Sequence, residues 1–282
     1  MTTLDESLLA AIETLKGVSV GSPRLTAETL LMFVLNCDRA HLFAHPERIL
    51  TADEALRFEA TLAQRVRGVP TQYITGHQEF WGMDLIVSPA ALIPRPETEH
   101  LVEAVLDVIR AISSPRIVDV GTGSGCIALA LAKELGHAEI HAVDCSALAL
   151  DIARANAARH GFQERIRFQE SDLLSAFSND TAPFDFIVSN PPYVSEADRE
   201  SLQPEVRDFE PHSALFAGPT GLDVIRRLIP QAKRSLKSDG WLVMEIGQGQ
   251  DKEVRDLLSN WGGLRFVPDL QGIPRVVTAQ RA

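Results

Sequence analysis

Asn190, Pro191, Pro192 and Tyr193 directly follow an apolar run that is typical of a buried strand. The two prolines fix φ and remove two backbone N–H donors, so the carbonyl groups there are stiff acceptors. The Asn190 side-chain oxygen and the Pro191 carbonyl can accept both hydrogens of a planar NH2 group, and the Tyr193 ring can pack over its plane. A rigid turn would explain the prolines but not the amide and the ring beside them. The pattern therefore predicts a site for an amide or nucleobase amino nitrogen.

Such a nitrogen is a poor nucleophile because its lone pair is delocalised into the π system. An enzyme must hold both N–H groups so that the developing lone pair points at the group under attack. A sulfonium methyl group is already a good electrophile, so in-line displacement needs positioning more than a strong base. The eight histidines have no metal-like spacing. No metal site is therefore expected, and the lack of an obvious catalytic His or Cys pair is consistent with methyl transfer from a sulfonium donor such as S-adenosylmethionine.

A glycine-rich loop is the second chemical feature. It follows a buried-strand run at 117–120, precedes a helical sequence, and consists of Gly121, Thr122, Gly123, Ser124 and Gly125. Glycines there let the backbone approach a ligand and adopt positive φ. The dinucleotide fingerprint needs a glycine at position 126, where this chain has Cys126. The spacing disfavours NAD and predicts a cofactor without a pyrophosphate.

Acidic residues follow the neighbouring strands. Asp144 ends the second predicted strand, where a carboxylate can accept from both ribose hydroxyls, although it could be an ordinary turn residue. Asp172 and Leu173 follow the third strand and could bind an adenine, or Asp172 could simply cap a helix. Asp119 could hold the loop backbone or reach the methionine amino group of the cofactor. The sequence leaves these alternatives open.

Alternating strands and helices are expected to position these residues. Strand-like runs lie at 116–120, 139–143, 166–169, 184–189, 240–246, 264–267 and 275–279, with helical sequences between most of them. This alternation predicts an α/β fold with a mainly parallel sheet and helices on both faces. A short loop separates the last two strands, so we expect them to be an antiparallel pair at one edge.

The first seventy or so residues show helical periodicity without strand-like alternation, which predicts a small helical bundle. One helix is expected at 53–67, with Thr51 as its N-cap and Leu56, Ala60, Ala63 and Gln64 along one side. The bundle could be a stabilising appendage or a partner-docking module. Residues 77–95 then predict a β-hairpin, and Pro96 begins the next helix at a position that tolerates proline.

Composition limits the function classes. The 282 residues are 45% hydrophobic and 23% charged, with a net charge of −11. No apolar run reaches the roughly 20 residues of a membrane helix, and the acidic, amphipathic pattern of the first residues leads us to expect no secretion signal. The cysteines are too few and scattered for a disulfide framework or zinc site, which favours the cytoplasm. Dispersed basic residues and the acidic balance argue against a nucleic-acid partner.

The chain resembles the release factor glutamine methyltransferases, which modify the glutamine of the Gly-Gly-Gln loop in peptide-chain release factors. Asn-Pro-Pro-Tyr alone is shared with DNA adenine-N6 methyltransferases and some RNA enzymes. The closer resemblance rests on companion motifs across most of the chain: Val69–Gly76, Leu92–Glu99, Glu210–Pro211 with Ala214–Leu215, and Glu245–Gly247 with Gln250.

The resemblance implies a helical N-terminal substrate-docking domain at 1–76, a β-hairpin linker at 77–95, and a seven-stranded, Rossmann-like class I methyltransferase domain at 96–282. By position, the glycine loop, Asp144, Asp172 and Leu173 would bind S-adenosylmethionine, with Asn190 beside it. Residues 190–193 would hold the glutamine. The family's Pro-Arg-Pro segment lies near the cofactor, which gives Arg95 a role there. The expected partner is a release factor, and the expected state is a monomer.

Three rival functions remain at this point. A glutamine of a ribosomal protein could be the acceptor, since that sister activity uses similar motifs. Adenine-N6 methylation of DNA or RNA would need a target-recognition region and a basic face, and the sequence has neither. A module that only binds the cofactor would have no use for the motif at Asn190–Tyr193.

Overall fold

The computed structural model describes residues 2–18, 20–109, 112–177 and 182–282. The chain forms two compact units. One comprises Met1–Gly76 together with Gln203–Phe209, and the other comprises His77–Leu202 together with Glu210–Ala282.

The first unit is helical. Its N-terminal helices are α1 (Leu4–Gly17), α2 (Pro23–Leu35), α3 (Arg39–Ala44), α4 (Ala52–Val66) and α5 (Thr71–Thr75). They surround an apolar core to which α1 and α2 contribute most of the buried leucines. The segment 203–209 is fixed within this unit by an ion pair between Arg65, on α4, and Glu205.

Helix α4 begins as predicted but buries a different side. Thr51 is its N-cap, and Thr51 and Glu54 exchange hydrogen bonds in a capping box. The expected apolar side is wrong, because Leu56 is 67% exposed. The core instead takes Phe58 and Thr61. Phe58 and Thr61 share a helical face with Arg65, whose guanidinium forms an ion pair with Glu205.

The second unit begins with the predicted hairpin. Strands β1 (His77–Phe80) and β2 (Met83–Ile86) pair in antiparallel fashion. Trp81 and Gly82 connect them with φ values of 55° and 65°. Two positive φ values at the centre of a two-residue turn match the twist of the flanking strands.

A seven-stranded sheet forms the centre of this unit. Its strands are β3 (Arg116–Val120), β4 (Glu139–Asp144), β5 (Ile166–Glu170), β6 (Phe184–Ser189), β7 (Leu236–Glu245), β8 (Gly262–Pro268) and β9 (Pro274–Gln280). Their spatial order is β5-β4-β3-β6-β7-β9-β8. The first five are parallel, and β9 runs antiparallel to β7 and β8. The predicted parallel sheet with a final antiparallel pair is confirmed.

Helices cover both faces of the sheet, as predicted. The helices of this unit are α6 (Glu99–Val108), α7 (Cys126–Glu134), α8 (Ala147–Arg159), α10 (His212–Leu215), α11 (Asp223–Ser235) and α12 (Asp251–Leu257), whereas α9 (Pro204–Phe209) belongs to the first unit. Neighbouring strand residues belong to different apolar clusters: Ile117 packs with α6 and α7, and Val118 packs with α11 and α12. Successive strand side chains point to opposite faces, so the sheet has a core on each side.

The sheet order creates a crevice at the carboxyl ends of the strands. The chain proceeds from β3 to β4 and β5 in one direction, and β6 lies on the opposite side of β3. Ligands of open α/β sheets bind at such a switch point. The loops that follow β3 and β6 are therefore neighbours in space. Among the described residues, no helix has the length and apolar character required to cross a membrane.

Candidate active site

A cavity of about 260 Å³ opens at the switch point. The loops after β3, β4, β5 and β6 all contribute to its wall. Most residues that the sequence predicted for the cofactor line it: Arg95, Gly121, Thr122, Gly123, Ser124, Asp144, Asp172, Leu173 and Asn190. Of the described residues predicted for the site, Asp119, Gly125, Pro191 and Tyr193 lie outside this lining.

The glycine loop has the backbone conformation that its glycines permit. Gly121, Gly123 and Gly125 have φ values of 73°, 55° and 85°. A Cβ atom added at Gly121 or Gly123 would meet no heavy atom within 4 Å, so both face open space. A Cβ at Gly125 would lie 3.1 Å from the Cβ of Ala153 on α8. Gly125 thus allows close packing against that helix, while the other two glycines border the cavity.

Asp119 lies beneath the loop and is fully buried. Its Oδ2 atom accepts hydrogen bonds from the Thr122 hydroxyl at 2.6 Å and from the Ala128 N–H at 3.2 Å. Burial raises the pKa of Asp119 to about 7, against the lowering effect of these two hydrogen bonds. This geometry favours the first of the two alternatives for Asp119, a carboxylate that holds the loop.

Asp144 stands at the end of β4, at the edge of the cavity. One carboxylate oxygen accepts from the Gly123 N–H and the other from the Ser146 N–H, both at 2.9 Å. A carboxylate oxygen can accept more than one hydrogen bond, so both oxygens retain capacity for a ligand hydroxyl. The carboxylate is therefore fixed in place before any ligand binds.

The loop after β5 brings Asp172 and Leu173 to the cavity, and Leu173 has a φ of 54°. Asp172 forms an ion pair with Arg227 on α11, which also lines the cavity. Sequence reasoning missed Arg227, because nothing in the pattern of a surface helix indicates which arginine reaches a distant loop.

Arg95 lines the cavity and forms an ion pair with Glu210. Glu210 is buried and also accepts from the Ile93 N–H at 3.3 Å. The guanidinium is therefore held by a carboxylate of the Glu210–Pro211 motif. This contact joins the segment before α6 to the segment that contributes Pro211 and Ala214 to the cavity wall.

The loop after β6 separates two cavities. Asn190 and Pro192 line the first, and Tyr193 lines a second cavity of about 790 Å³. The Tyr193 carbonyl accepts a hydrogen bond of 3.0 Å from Gln250 Nε2. A Cβ atom at Gly221 would lie 2.2 Å from the same carbonyl. The backbone of the loop is thus held tightly from two sides.

Two residues that the sequence did not assign to the site connect the ends of this loop. Asn190 Nδ2 donates to Thr98 Oγ1 at 3.0 Å, and the Thr98 hydroxyl donates to Glu245 Oε2 at 2.7 Å. The Tyr193 hydroxyl donates to Glu245 Oε1 at 3.1 Å. Thr98 and Glu245 are each 2% exposed. A signal for Glu245 existed, since it is an acidic residue within the apolar run that predicts the strand at 240–246.

Burial raises the pKa values of two side chains in this hydrogen-bonded group, Glu245 and Tyr193. Desolvation raises the pKa of Glu245 above its ordinary value, and the hydrogen bonds from Thr98 and Tyr193 oppose that shift. Desolvation also raises the pKa of the Tyr193 phenol, and the nearby Glu245 charge adds to the effect. Tyr193 is therefore a neutral hydrogen-bond donor at neutral pH.

Family models match both parts of the chain. Residues 6–76 match the PrmC N-terminal domain, and residues 98–205 match the Methyltransferase small domain. The chain is similar to proteins named release factor glutamine methyltransferase. It is 52% identical over 279 residues to that of Koribacter versatilis, covering 99% of both chains. It is 40% identical to that of Nitratidesulfovibrio vulgaris, covering 99% of this chain and 95% of the relative.

Solved structures share the methyltransferase fold at low sequence identity. The hMettl16 catalytic domain in complex with MAT2A 3'UTR hairpin 6 has a TM-score of 0.58 at 16% identity, with 81% of this chain and 82% of that chain covered. The T. thermophilus 16S rRNA N2 G1207 methyltransferase has a TM-score of 0.52 at 16% identity, with 73% and 50% covered. Such likenesses concern the fold alone. The identity to the two release factor glutamine methyltransferases, in contrast, extends over nearly the full length of the chain and shows its family. The chain belongs to the release factor glutamine methyltransferase family.

Proposed function

We propose that this chain transfers a methyl group from S-adenosylmethionine to the side-chain amide nitrogen (N5) of the glutamine in the Gly-Gly-Gln loop of a peptide-chain release factor. The observation that carries the proposal is the position of Asn190, which lines the same cavity as the glycine loop and Asp144. A donor bound along that loop would therefore face the residue that can hold an amide nitrogen. Family membership supports a glutamine as the acceptor.

The cavity fits the cofactor. Gly121 and Gly123 leave open space in front of the backbone, as a ligand that lies against the loop requires. Asp144 offers remaining acceptor capacity for the two ribose hydroxyls, and Leu173 offers an apolar surface for the adenine. When bound, the cofactor supplies a methyl group on a positively charged sulfur.

The chain's own residues then orient the acceptor. The Asn190 side-chain oxygen and the Pro191 carbonyl accept the two N–H hydrogens of the glutamine amide, so its lone pair points into the cavity. As the new N–C bond forms, the bond between the methyl carbon and sulfur breaks, and S-adenosylhomocysteine is the product. Positive charge grows on the nitrogen, and these fixed acceptors stabilise it. The amide then loses one proton to solvent. This chemistry requires orientation rather than a dedicated base.

We further propose that the helical unit docks the release factor. The support for this proposal is the set of large apolar side chains that the unit exposes, which includes two phenylalanines and an isoleucine as well as leucines. They are Leu9, Leu25, Phe33, Phe43, Ile49 and Leu56.

An acceptor panel tests the proposed function. The purified protein is incubated with methyl-labelled S-adenosylmethionine and, separately, with a release factor, ribosomal proteins and DNA. A release factor whose Gly-Gly-Gln glutamine is replaced by alanine is the control. We expect label on the release factor and none on the control. Label confined to a ribosomal protein or to DNA would overturn the acceptor while leaving the chemistry of the site intact.

A further inference from the structure

The Glu245 carboxylate begins a chain of hydrogen bonds that ends at the cavity. It lies at the last position of β7, beside the end of β6, and is 2% exposed. It accepts from the Thr98 hydroxyl at 2.7 Å and from the Tyr193 hydroxyl at 3.1 Å. A hydroxyl has a single hydrogen to donate. Both hydroxyls have therefore committed their hydrogens to Glu245.

The direction of the Thr98 hydroxyl determines which hydrogen bond Thr98 can form with Asn190. With its hydrogen directed at Glu245, the Thr98 oxygen can only accept, and Asn190 Nδ2 donates to it at 3.0 Å. An asparagine amide has a donor end and an acceptor end. The bond from one Nδ2 hydrogen to Thr98 fixes which way the amide is turned, so the Oδ1 atom of Asn190 is the acceptor that the side chain offers to a ligand.

We infer that Glu245 and Thr98 are positioning residues that fix the Asn190 amide with its oxygen toward the acceptor, and that they thereby make the site select an amide over a carboxylic acid. An oxygen at this point attracts an N–H group and repels the lone pairs of a glutamate carboxylate. The opposite orientation would present an NH2 group and favour that carboxylate. The inference rests on the proposed function, since it assigns the selection of glutamine over glutamate.

The surroundings support a fixed orientation. Thr98 closes the 3-10 turn at Pro96–Thr98, where Pro96 restricts the backbone. Glu245 belongs to a central strand, and Thr98 is 2% exposed. When a polar group buried this deeply loses a hydrogen-bond partner, water cannot replace that partner, and the loss costs free energy. The same carboxylate also restrains the Tyr193 ring, so one residue holds both ends of the loop.

A matched pair of substitutions at Thr98 tests this inference. Thr98→Val removes the hydroxyl and keeps the shape, whereas Thr98→Ser keeps the hydroxyl. We expect Thr98→Val to lower kcat by about tenfold or more, the order expected for a lost positioning contact. The KM for S-adenosylmethionine should stay within about twofold, because Asp144 and the glycine loop are unchanged. Thr98→Ser should recover most of the lost kcat.

Selectivity is the second readout. A release factor with glutamate in place of the Gly-Gly-Gln glutamine serves as a competitive ligand. Thr98→Val should bind it more tightly relative to the glutamine form than the wild type does, and Thr98→Ser should not. The inference is overturned if Thr98→Val keeps the wild-type kcat and the wild-type preference. If Thr98→Val fails to fold, as judged by thermal unfolding, Glu245→Gln replaces it. The side-chain amide of that variant adds a donor that competes with Asn190 for the Thr98 oxygen. We therefore expect the same loss of kcat and the same loss of preference for glutamine over glutamate.

A spectroscopic readout separates this inference from the proposed function. Hydrogen exchange of the Asn190 side-chain amide, followed by nitrogen-edited NMR, needs no acceptor. Faster exchange in Thr98→Val than in Thr98→Ser supports the positioning role, and equal exchange in both variants and the wild type overturns it. Failure of the wild type to label any release factor would instead overturn the proposed function.

Discussion

The Ser189 hydroxyl donates a hydrogen bond of 2.8 Å to the Val120 carbonyl, and the two residues are also register partners in the sheet. Val120 precedes the glycine loop and Ser189 precedes Asn190. A side chain thus joins the two strand ends from which the glycine loop and the loop after β6 depart. The spacing between these loops depends on this contact as well as on the backbone ladder.

Ser189→Ala should destabilise the protein by about 1–2 kcal/mol, because the substitution leaves a buried carbonyl without one of its partners. Ser189 is 1% exposed. Denaturant unfolding of the wild type and the variant measures the difference. Ser259→Ala, at an exposed position, is the control and should change the free energy of unfolding by less than about 0.5 kcal/mol. Equal effects of the two substitutions would contradict the proposed importance of this contact.

Asp144→Ala should weaken S-adenosylmethionine binding by about 1–3 kcal/mol, the order expected for lost hydrogen bonds to a charged group. Isothermal titration calorimetry gives the affinity. Asp151→Ala is a suitable control, since Asp151 is an exposed residue of α8 whose partner is the neighbouring Arg154. If Asp144→Ala left the affinity unchanged, the ribose assignment would be wrong.

Two of the three glycines of the loop, Gly121 and Gly125, should respond differently to alanine. Gly121→Ala introduces backbone strain at a φ of 73° without a steric contact, so we expect a loss of stability of about 1 kcal/mol. Gly125→Ala adds to similar strain a Cβ that lies 3.1 Å from that of Ala153. It should cost about 1–3 kcal/mol more, as overpacking does. Thermal unfolding of both variants measures the difference, and an equal loss would show that α8 moves away without cost.

Asp119 should make stability depend on pH. Its pKa rises from 3.8 to about 7 on folding, mainly through burial and with a contribution from the Asp144 charge. The folded state then holds a proton that the unfolded state has lost, so this group's contribution to stability decreases between about pH 4 and pH 7. Asp119→Asn cannot titrate. As the pH rises from about 4 to about 7, the free energy of unfolding of the wild type should therefore fall relative to that of the variant. A difference that stays constant with pH would contradict the raised pKa of Asp119.

Local pattern predicted much of the fold. Runs such as Phe184–Ser189 are buried along their whole length, so their strand character is visible in the sequence. The contacts between strands are less visible. The meeting of Thr98 with Glu245 depends on sheet order and on where the turn before α6 packs, and neither follows from periodicity. The buried side of α4 was predicted wrongly because several faces of a short amphipathic helix carry apolar residues, and only packing decides among them.

The role of Asn190 can be tested directly. Single-turnover methyl transfer to a release factor is measured for the wild type and for Asn190→Ala, together with the dissociation constant of S-adenosylmethionine for each. We expect the variant to lose at least about 100-fold in the rate of transfer, as enzymes do when a transition-state hydrogen-bonding group is removed. Its cofactor affinity should stay within about threefold, because Asp144 and the glycine loop are intact. Near-normal transfer by the variant would contradict the claim that Asn190 holds the acceptor nitrogen.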